Sequence, residues 1–402
     1  MYHNLITDEV SSILAQLDDS PPDIRTARTM PSKVYTSDEF YRFELESIFF
    51  REWLCLGHQS EVPNAGDYYT IQVGPEPLVV VRDGVGVIRV MSSICQHRGF
   101  PITALEPAGN TASLRCPYHS WNYQLDGRLS HAPEMHKVCD LADLKAETAL
   151  PQLKVELWNG FIFATMNPDA PALAPTLTKL DAEFANFHAE DLITTPPMMY
   201  PDQPWNWKGM HENALEPYHT SYVHKGFHEV APASKAEFFE WDDNDGQILH
   251  PTYFRHPDAG FNPTQRAMFP IIETLSLEQR SRVMFASILP TAFFALMPDQ
   301  VFMFLILPQA ADKITLRVNW LFPASSFRAP TFDWAYQSQT GANDLINQQD
   351  MVTNTQMQRG QQSRFVKRGR FSHQETTLPQ FNRWLTKRYL AYAKAQSECR
   401  SD

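Results

Sequence analysis

Two short segments of the sequence each pair a cysteine with a histidine. Cys95 and His97 stand two positions apart and Cys116 and His119 three apart, with 18 residues between the pairs. Thiolates and imidazoles together bind soft and borderline metals. A structural zinc site usually draws two cysteines from one segment and two histidines from another, whereas here each segment provides one of each. The mixed arrangement favours a binuclear centre in which thiolates hold one metal and imidazoles the other, and structural zinc is the alternative.

The same segments resemble a known family. CQHRG at 95–99 and CPYHSW at 116–121 closely resemble the Rieske [2Fe-2S] motif. The resemblance implies that Cys95 and Cys116 hold one iron and that His97 and His119 hold the other. Rieske centres also occur in proteins that only carry electrons. A Rieske electron carrier, or a zinc-stabilised binding protein without oxygenase activity, is therefore the alternative to an enzyme.

A second group of candidate ligands lies about a hundred residues further on. His219 and His224 are five apart, which in a regular α-helix turns their side chains about 140° from each other. Both reach one metal only if the helix is distorted or ends, and Pro217 supplies a cause. The segment resembles the mononuclear-iron motif of Rieske oxygenases, in which an acidic residue, here Glu216, precedes the first histidine by three positions.

Iron(II) sites of this class need a carboxylate besides the two histidines. Asp344 and Asp350 both lie in a predicted C-terminal helix. We prefer Asp350, because the stretch from Asp350 to the Gln-Arg-Gly at 358–360 resembles the corresponding segment of the family. Asp344 is the second choice.

Glu216 is assigned a separate role. At three positions before His219, its least specific function is to orient that imidazole. The resemblance implies more, namely a carboxylate that links an iron-ligating histidine to the Rieske histidine of a neighbouring subunit. It also implies a ring of three head-to-tail subunits.

The resemblance implies the terminal oxygenase component of a Rieske non-haem iron system, either a monooxygenase or a dioxygenase. Its cofactors would be a [2Fe-2S] cluster and mononuclear Fe(II). Electrons from NAD(P)H would arrive through a separate reductase or ferredoxin, since the sequence has no GxGxxG or flavin signature. With O2 they would hydroxylate a small organic substrate, either an aromatic compound or a methylammonium compound that loses a methyl group. Aromatic residues of the catalytic region are candidates for lining the pocket, and we considered Trp205, Tyr218, Tyr222, Phe227, Phe238, Phe239, Trp241, Tyr253, Phe254 and Phe261.

The elements that position these residues indicate an α+β protein: a small all-β Rieske domain and a larger catalytic domain with an antiparallel sheet surrounded by helices. We predict an N-terminal helical segment at 1–39 packing on the catalytic domain, the Rieske domain at 40–167 and the catalytic domain at 168–402. Within the first segment, Thr7 is a predicted N-cap. Strands are predicted at 68–73, 78–82, 87–91, 121–125, 155–158, 161–166, 282–289, 293–297, 301–307 and 314–322, and C-terminal helices at 344–358 and 377–394. Asp126-Gly127 and Asn159-Gly160 are predicted hairpin turns with positive φ at both positions.

Composition excludes several classes of protein. Asp+Glu 46 against Lys+Arg 34 gives a net charge of -12, so we expect no nucleic-acid partner. No stretch reaches the roughly 18 apolar residues of a membrane span, and residues 1–22 lack the features of a secretory signal. Five cysteines cannot form a fully paired framework. We therefore expect a cytoplasmic protein in which Cys55, Cys139 and Cys399 are thiols.

Overall fold

The computed structural model describes residues 5–18, 22–226, 228–240 and 246–398, so Cys399, Phe227 and Trp241 lie outside the described residues. The chain divides into two compact units, a smaller one at Arg51–Pro171 and a larger one made of the described parts of Met1–Phe50 and Ala172–Asp402. The larger unit is thus built from two separate stretches of sequence. The boundaries expected from the sequence stay predictions.

The larger unit begins with short helices. These are α1 (Asp8–Leu14), α2 (Lys33–Thr36) and α3 (Asp38–Glu44), followed by a π-helical turn at Leu45–Phe49. The hydroxyl of Thr7 accepts a hydrogen bond from the backbone amide of Val10, which confirms the predicted N-cap. Val10 and Ile13 are buried, so the apolar side of α1 packs into the unit.

The smaller unit consists mainly of short antiparallel strands. They are β1 (Leu54–His58), β2 (Asp67–Val73), β3 (Glu76–Arg82), β4 (Ile88–Ser92), β5 (Ala108–Asn110), β6 (Leu114–Arg115), β7 (Asn122–Tyr123), β8 (Leu129–His131), β9 (Lys154–Trp158) and β10 (Phe161–Thr165), with one helix, α4 (Leu141–Glu147), before β9. Three sheets result, in the orders β1-β10-β9, β4-β3-β2-β5 and β6-β7-β8. Apart from α4, this is the all-β domain that the sequence predicts.

The two predicted hairpin turns differ. Asn159 and Gly160 both have positive φ, at 48° and 79°, as the prediction requires. At the other turn only Gly127 does, at 82°, so the prediction for Asp126 is wrong. The reason is local. Oδ1 of Asp126 accepts a hydrogen bond from the backbone amide of Arg128 at 3.1 Å, which forms a turn without positive φ at Asp126.

The rest of the larger unit is an antiparallel sheet with helices around it. The elements are α5 (Thr178–Phe184), β11 (Ile193–Thr194), β12 (Met198–Gln203), α6 (Trp207–Ala214), α7 (Thr220–Val223), β13 (Gln247–Tyr253), β14 (Arg282–Ile288), β15 (Ala292–Met297), β16 (Gln300–Ala310), β17 (Lys313–Phe322), α8 (Phe332–Gln361) and α9 (Thr377–Glu398). The sheet order is β11-β17-β16-β15-β14-β13, and β12 also pairs with β17. The predicted α+β fold is confirmed, although α8 begins at Phe332, well before the predicted start at 344.

Short 3-10 turns connect several of these elements. They lie at Gln59–Glu61, Met135–Lys137, Ala174–Thr176, Ala189–Asp191, Ala233–Lys235, Gln279–Ser281, Ser326–Arg328 and His373–Glu375. Among the described residues, no helix combines the length and the apolar composition needed to cross a membrane.

Candidate metal centres and cavity

The first group of predicted ligands lies on two loops of the smaller unit that are built alike. In the loop after β4, the amide of Gly99 donates to the carbonyl of Cys95 at 2.9 Å. In the loop after β6, the amide of Ser120 donates to the carbonyl of Cys116 at 3.0 Å. Gly99 and Ser120 both have positive φ, at 72° and 60°. Each cysteine therefore opens a tight turn, closed by the same backbone hydrogen bond and by a residue with positive φ.

Aromatic side chains pack against the predicted ligands in these loops. The ring of His97 stacks on that of Trp121, with centroids 4.7 Å apart and planes 7° apart. The rings of His97 and His119 are also neighbours, at 4.8 Å. The hydroxyl of Tyr123 lies 3.4 Å from the sulfur of Cys95. The structure thus brings all four predicted ligands into one small region of the unit.

The two kinds of ligand differ in exposure. Cys95 and Cys116 are each 2% exposed, and neither is in a disulfide. His97 and His119 are exposed. This donor set fits a Rieske cluster with the thiolate-bound iron inside the protein and the imidazole-bound iron at the surface, where electrons can be exchanged.

The second group of predicted ligands is carried by α7 and α8 of the larger unit. Helix α6 ends at Ala214, and the single turn of α7 follows after an interruption that contains Pro217. His219 is the N-cap residue of α7 and His224 its C-cap residue. Both histidines lie after this interruption and flank one short helical turn, which ends at Val223, and their ring centroids are 5.0 Å apart.

The geometry of this group suits one metal ion. The Nε2 atoms of His219 and His224 are 3.1 Å apart. The Oδ1 atom of Asp350 lies 3.2 Å from Nε2 of His224 and 3.6 Å from Nε2 of His219. Ligands bonded at about 2.1 Å and set at right angles around an ion are about 3 Å apart. The residues present thus fit the two-histidine, one-carboxylate arrangement used for non-haem Fe(II).

Hydrogen bonds hold each member of this triad in place. Glu216 accepts from His219 twice: Nδ1 of the imidazole is 2.6 Å from Oε1, and the backbone amide is 3.0 Å from Oε2. Nδ1 of His224 is 2.9 Å from the amide oxygen of Gln349. The side-chain amide nitrogen (Nδ2) of Asn213 donates a hydrogen bond to Oδ1 of Asp350 at 3.1 Å. Because each imidazole has an acceptor at Nδ1, Nε2 is left to face the metal position.

The electrostatics of the triad follow from these contacts. Burial disfavours the charged imidazolium of His219, but the hydrogen bond and charge of Glu216, with the charge of Asp350, outweigh burial and raise its pKa. Burial, together with the nearby charge of Glu216, also raises the pKa of Glu375. The charges of Glu216, Asp350 and Glu375 thus all favour the protonated form of the His219 imidazole and raise its pKa.

The other aspartate considered from the sequence lies elsewhere. Asp344 accepts hydrogen bonds from the hydroxyl of Tyr200 at 3.2 Å and from the side chain of Gln348 at 2.7 Å. Six positions along a helix place Asp344 and Asp350 on different sides of α8. The structure therefore brings Asp350, and not Asp344, to the two histidines.

A cavity of about 180 Å³ extends from the triad over the central sheet. Of the aromatic residues considered from the sequence, Phe261 lines it, whereas Tyr222 is 71% exposed. Sequence reasoning missed the aromatic residues that the sheet contributes, which are Phe285, Phe293, Phe302, Phe304 and Trp320. Their signal was the alternation along the predicted strands, which assigns them to one face, but only the register between strands shows that they meet. Sequence reasoning also missed Gln349 and its bond to His224.

Two parts of the sequence match known protein families. Residues 52–152 match the Rieske [2Fe-2S] domain. Residues 186–391, a little over half of the chain, match the catalytic domain of the ring-hydroxylating alpha subunits. The chain belongs to this family, whose cofactors are a Rieske [2Fe-2S] cluster and a mononuclear iron.

Individual relatives differ in what they act on. The carnitine monooxygenase oxygenase subunit of Escherichia coli K12 is 34% identical over 203 residues, which are 50% of this chain and 53% of the relative. The chain thus spans about half the length of such curated relatives. Naphthalene 1,2-dioxygenase from Rhodococcus sp., solved with indole bound, has a TM-score of 0.79 at 21% identity and covers 96% of this chain and 99% of its own.

A second solved structure has a similar fold. It is a quaternary ammonium Rieske monooxygenase that bears on carnitine oxidation and inter-subunit electron transfer. Its TM-score is 0.75 at 23% identity, over 93% of this chain and 100% of its own. At these identities the solved structures establish the fold alone.

Proposed function

We propose that this protein is the terminal oxygenase component of a Rieske non-haem iron system, with domains at 1–39, 40–167 and 168–402. It uses O2 and electrons from NAD(P)H, delivered by a separate reductase or ferredoxin, to hydroxylate a small organic substrate. In this proposal Cys95, His97, Cys116 and His119 hold the [2Fe-2S] cluster, His219, His224 and Asp350 hold Fe(II), and Glu216 links the two centres.

The observation that carries the proposal is the position of the triad. His219, His224 and Asp350 converge to within 4.8 Å of one another, and all three line the cavity. These three residues would hold the iron at the wall of a largely apolar chamber, where it would supply a site for dioxygen beside the substrate.

The residues around the triad have definable tasks. Glu216 and Gln349 fix the orientation of the two imidazoles, and Asn213 fixes the carboxylate of Asp350. The aromatic side chains of the sheet hold the substrate and exclude water. When bound, the iron supplies the site at which dioxygen is reduced and activated.

The route of the electrons is also part of the proposal. His97 and His119 are exposed, which supports electron exchange with a second protein surface. Glu216 already binds His219, so a neighbouring copy that brings its cluster histidine to Glu216 would join the two centres. A similar fold is described with inter-subunit electron transfer. We therefore propose a homotrimer, and a cytoplasmic location in which the cluster thiolates stay reduced.

Metal content and oxygen consumption test this function. Protein purified anaerobically should be brown, contain three iron atoms per chain by the proposed stoichiometry, and consume O2 when a surrogate reductase and a substrate are supplied. The substrate panel should contain aromatic acids, neutral aromatics and methylammonium compounds. A colourless protein with zinc alone would support the zinc-stabilised binding protein. A brown protein that accepts electrons but never consumes O2 would support the electron carrier.

A further inference from the structure

The cavity floor is one face of the five strands β13 to β17, and its centre is an alanine. The register joins His250, Phe285, Ala295, Phe302 and Trp320 into one row across the sheet. All five line the cavity. Residues paired in this way point to the same face and stand about 5 Å apart. The row therefore has large side chains everywhere except at Ala295.

Larger side chains also flank Ala295 along its own strand. Phe293 and Met297 are two positions before and after it, so they share its face, and both line the cavity. The ring of Phe294 points to the other face, where it packs on Phe184 with centroids 5.6 Å apart. Ala295 is thus surrounded on four sides and forms a depression. A dry apolar cavity of roughly 150 Å³ is known to take up benzene, so the chamber here is large enough for a ring.

The phenylalanine rings beside the depression form a ladder. The ring of Phe293 is nearly parallel to that of Phe304, at 4.6 Å and 17°, and to that of Phe285, at 5.9 Å and 23°. Phe293 therefore stands in a stack between one ring from β14 and one from β16. What it can offer a ligand is its edge, which is the positive part of the ring quadrupole. An edge attracts the face of another aromatic ring and repels a cation.

The charges around the cavity disfavour a ligand that carries a carboxylate. Among the described residues that line it there is no lysine or arginine. The carboxylates are those of Glu216 and Asp350, which already bind His219 and adjoin the metal position. A zwitterion such as glycine betaine would bury its carboxylate without a cationic side chain to pair with, which is unfavourable.

We propose that Ala295 is the specificity-determining residue of the site, and that the depression above it takes an uncharged ring compound whose face meets the edge of Phe293. The proposal rests on the proposed function in one respect, namely that the bound ring reacts at the iron. The binding of the ring does not depend on it. It separates this chain from relatives that act on quaternary ammonium compounds, even though one of those relatives is 34% identical to it.

A pair of probes that differ only in charge tests the proposal. Tert-butylbenzene and phenyltrimethylammonium have the same shape, with carbon in one where the other has a quaternary nitrogen. Titration calorimetry with the iron-loaded protein, without electron donor, should show the neutral member binding about tenfold or more tightly. Indole should bind as well, and glycine betaine should not. Equal or tighter binding of the cation, or measurable binding of glycine betaine, would overturn the proposal.

Substitutions at the depression test its location. Ala295→Leu fills the gap and should weaken indole binding about tenfold or more, whereas Ala295→Gly should not, because it leaves the gap open. The cluster absorbance and iron content show whether each variant is folded, and Ala295→Val is a smaller step if the leucine variant is not. Unchanged indole binding in a folded leucine or valine variant would contradict the assignment. Since no turnover is measured, these results stand apart from the oxygen-consumption test of the function.

Discussion

The two metal centres of this chain are assembled in different ways. The cluster ligands lie on two similar loops of one small unit, within the 25 residues from Cys95 to His119. The triad combines two histidines at the ends of one helical turn with Asp350, which is far along the sequence on α8. The first site is thus mainly a product of local turns, and the second is a product of how distant elements pack.

This difference extends to the residues that support the ligands. Around the cluster, the supporting contacts come from backbone amides and aromatic rings of the same small unit, such as Trp121 against His97. At the triad, one turn of α8 supplies both Asp350 and the partner of His224, Gln349. A displacement of α8 would therefore disturb two ligands at once. The comparison leads us to expect that the cluster survives changes that destroy the iron site.

The largest expected effect is the separate loss of each centre. His224→Ala removes one of three iron ligands, and we expect complete loss of the mononuclear iron and of oxygen consumption, with the cluster absorbance unchanged. Cys116→Ser is the matched change at the other site. It should abolish the cluster absorbance while the protein still binds one Fe(II). Metal analysis and visible spectra of the two variants measure both effects.

Each outcome bears on the comparison. If His224→Ala also lost the cluster, the two centres would not be independent in assembly. If it kept its iron and its activity, His224 would not be a ligand.

The next effect concerns the two acceptors at Nδ1. Glu216→Gln preserves a hydrogen-bond acceptor for His219 but removes the charge, so we expect both metals to stay bound and turnover to fall roughly 10- to 100-fold. Gln349→Met, which removes the acceptor of His224, should instead weaken iron binding by about tenfold, since the imidazole is no longer held. Coupled turnover and Fe(II) titration distinguish the two.

These variants separate the linking role of Glu216 from simple orientation. Reduction of the cluster followed by rapid mixing with O2 shows whether electrons still reach the iron. Normal coupled turnover in Glu216→Gln would remove the case for a link between subunits.

A partly buried carboxylate in α6, that of Glu212, gives a pH effect. Burial raises the pKa of Glu212 from 4.5 to about 7, and its side chain accepts a hydrogen bond from Tyr35 at 2.5 Å. The folded protein therefore holds a proton that the unfolded chain releases between about pH 4.5 and 7. The free energy of unfolding therefore includes the full contribution of this proton below pH 4.5. It falls as the pH rises through 7, by about 3 kcal/mol in all.

Glu212→Gln cannot titrate and should remove that part of the pH dependence. Denaturant unfolding of the wild type and the variant at pH 5 and pH 8 measures the change. The variant should lose less stability than the wild type over this interval. An equal loss in both would mean that other groups cause it.

Features that depend on short spacings could be predicted from sequence alone, whereas features that depend on packing could not. The cluster loops, the cap at Thr7 and the pairing of Glu216 with His219 all depend on spacings of a few residues, and such spacings can be read directly. The cavity could not be predicted, because Phe285, Phe302 and Trp320 meet only through the register of separate strands.

Two other predictions were wrong for local reasons. The early start of α8 at Phe332 has no capping side chain to indicate it. The positive φ predicted at Asp126 was replaced by a side-chain bond to the backbone. Propensity thus predicted the type of these elements better than their ends.

The smallest effect is expected at the aspartate on the other side of α8. Asp344→Asn retains one oxygen to accept from Tyr200 or Gln348, and these bonds are partly exposed, so we expect a change below about 1 kcal/mol in the free energy of unfolding. Its iron content should equal that of the wild type. Asp350→Asn is the matched control and should lose the iron, since a neutral amide is a poor ligand for Fe(II). If the two variants lost iron equally, either carboxylate would have to reach the histidines, which requires α8 to turn. The packing of α8 would then not fix the iron site, contrary to the difference drawn here between this site and the cluster loops.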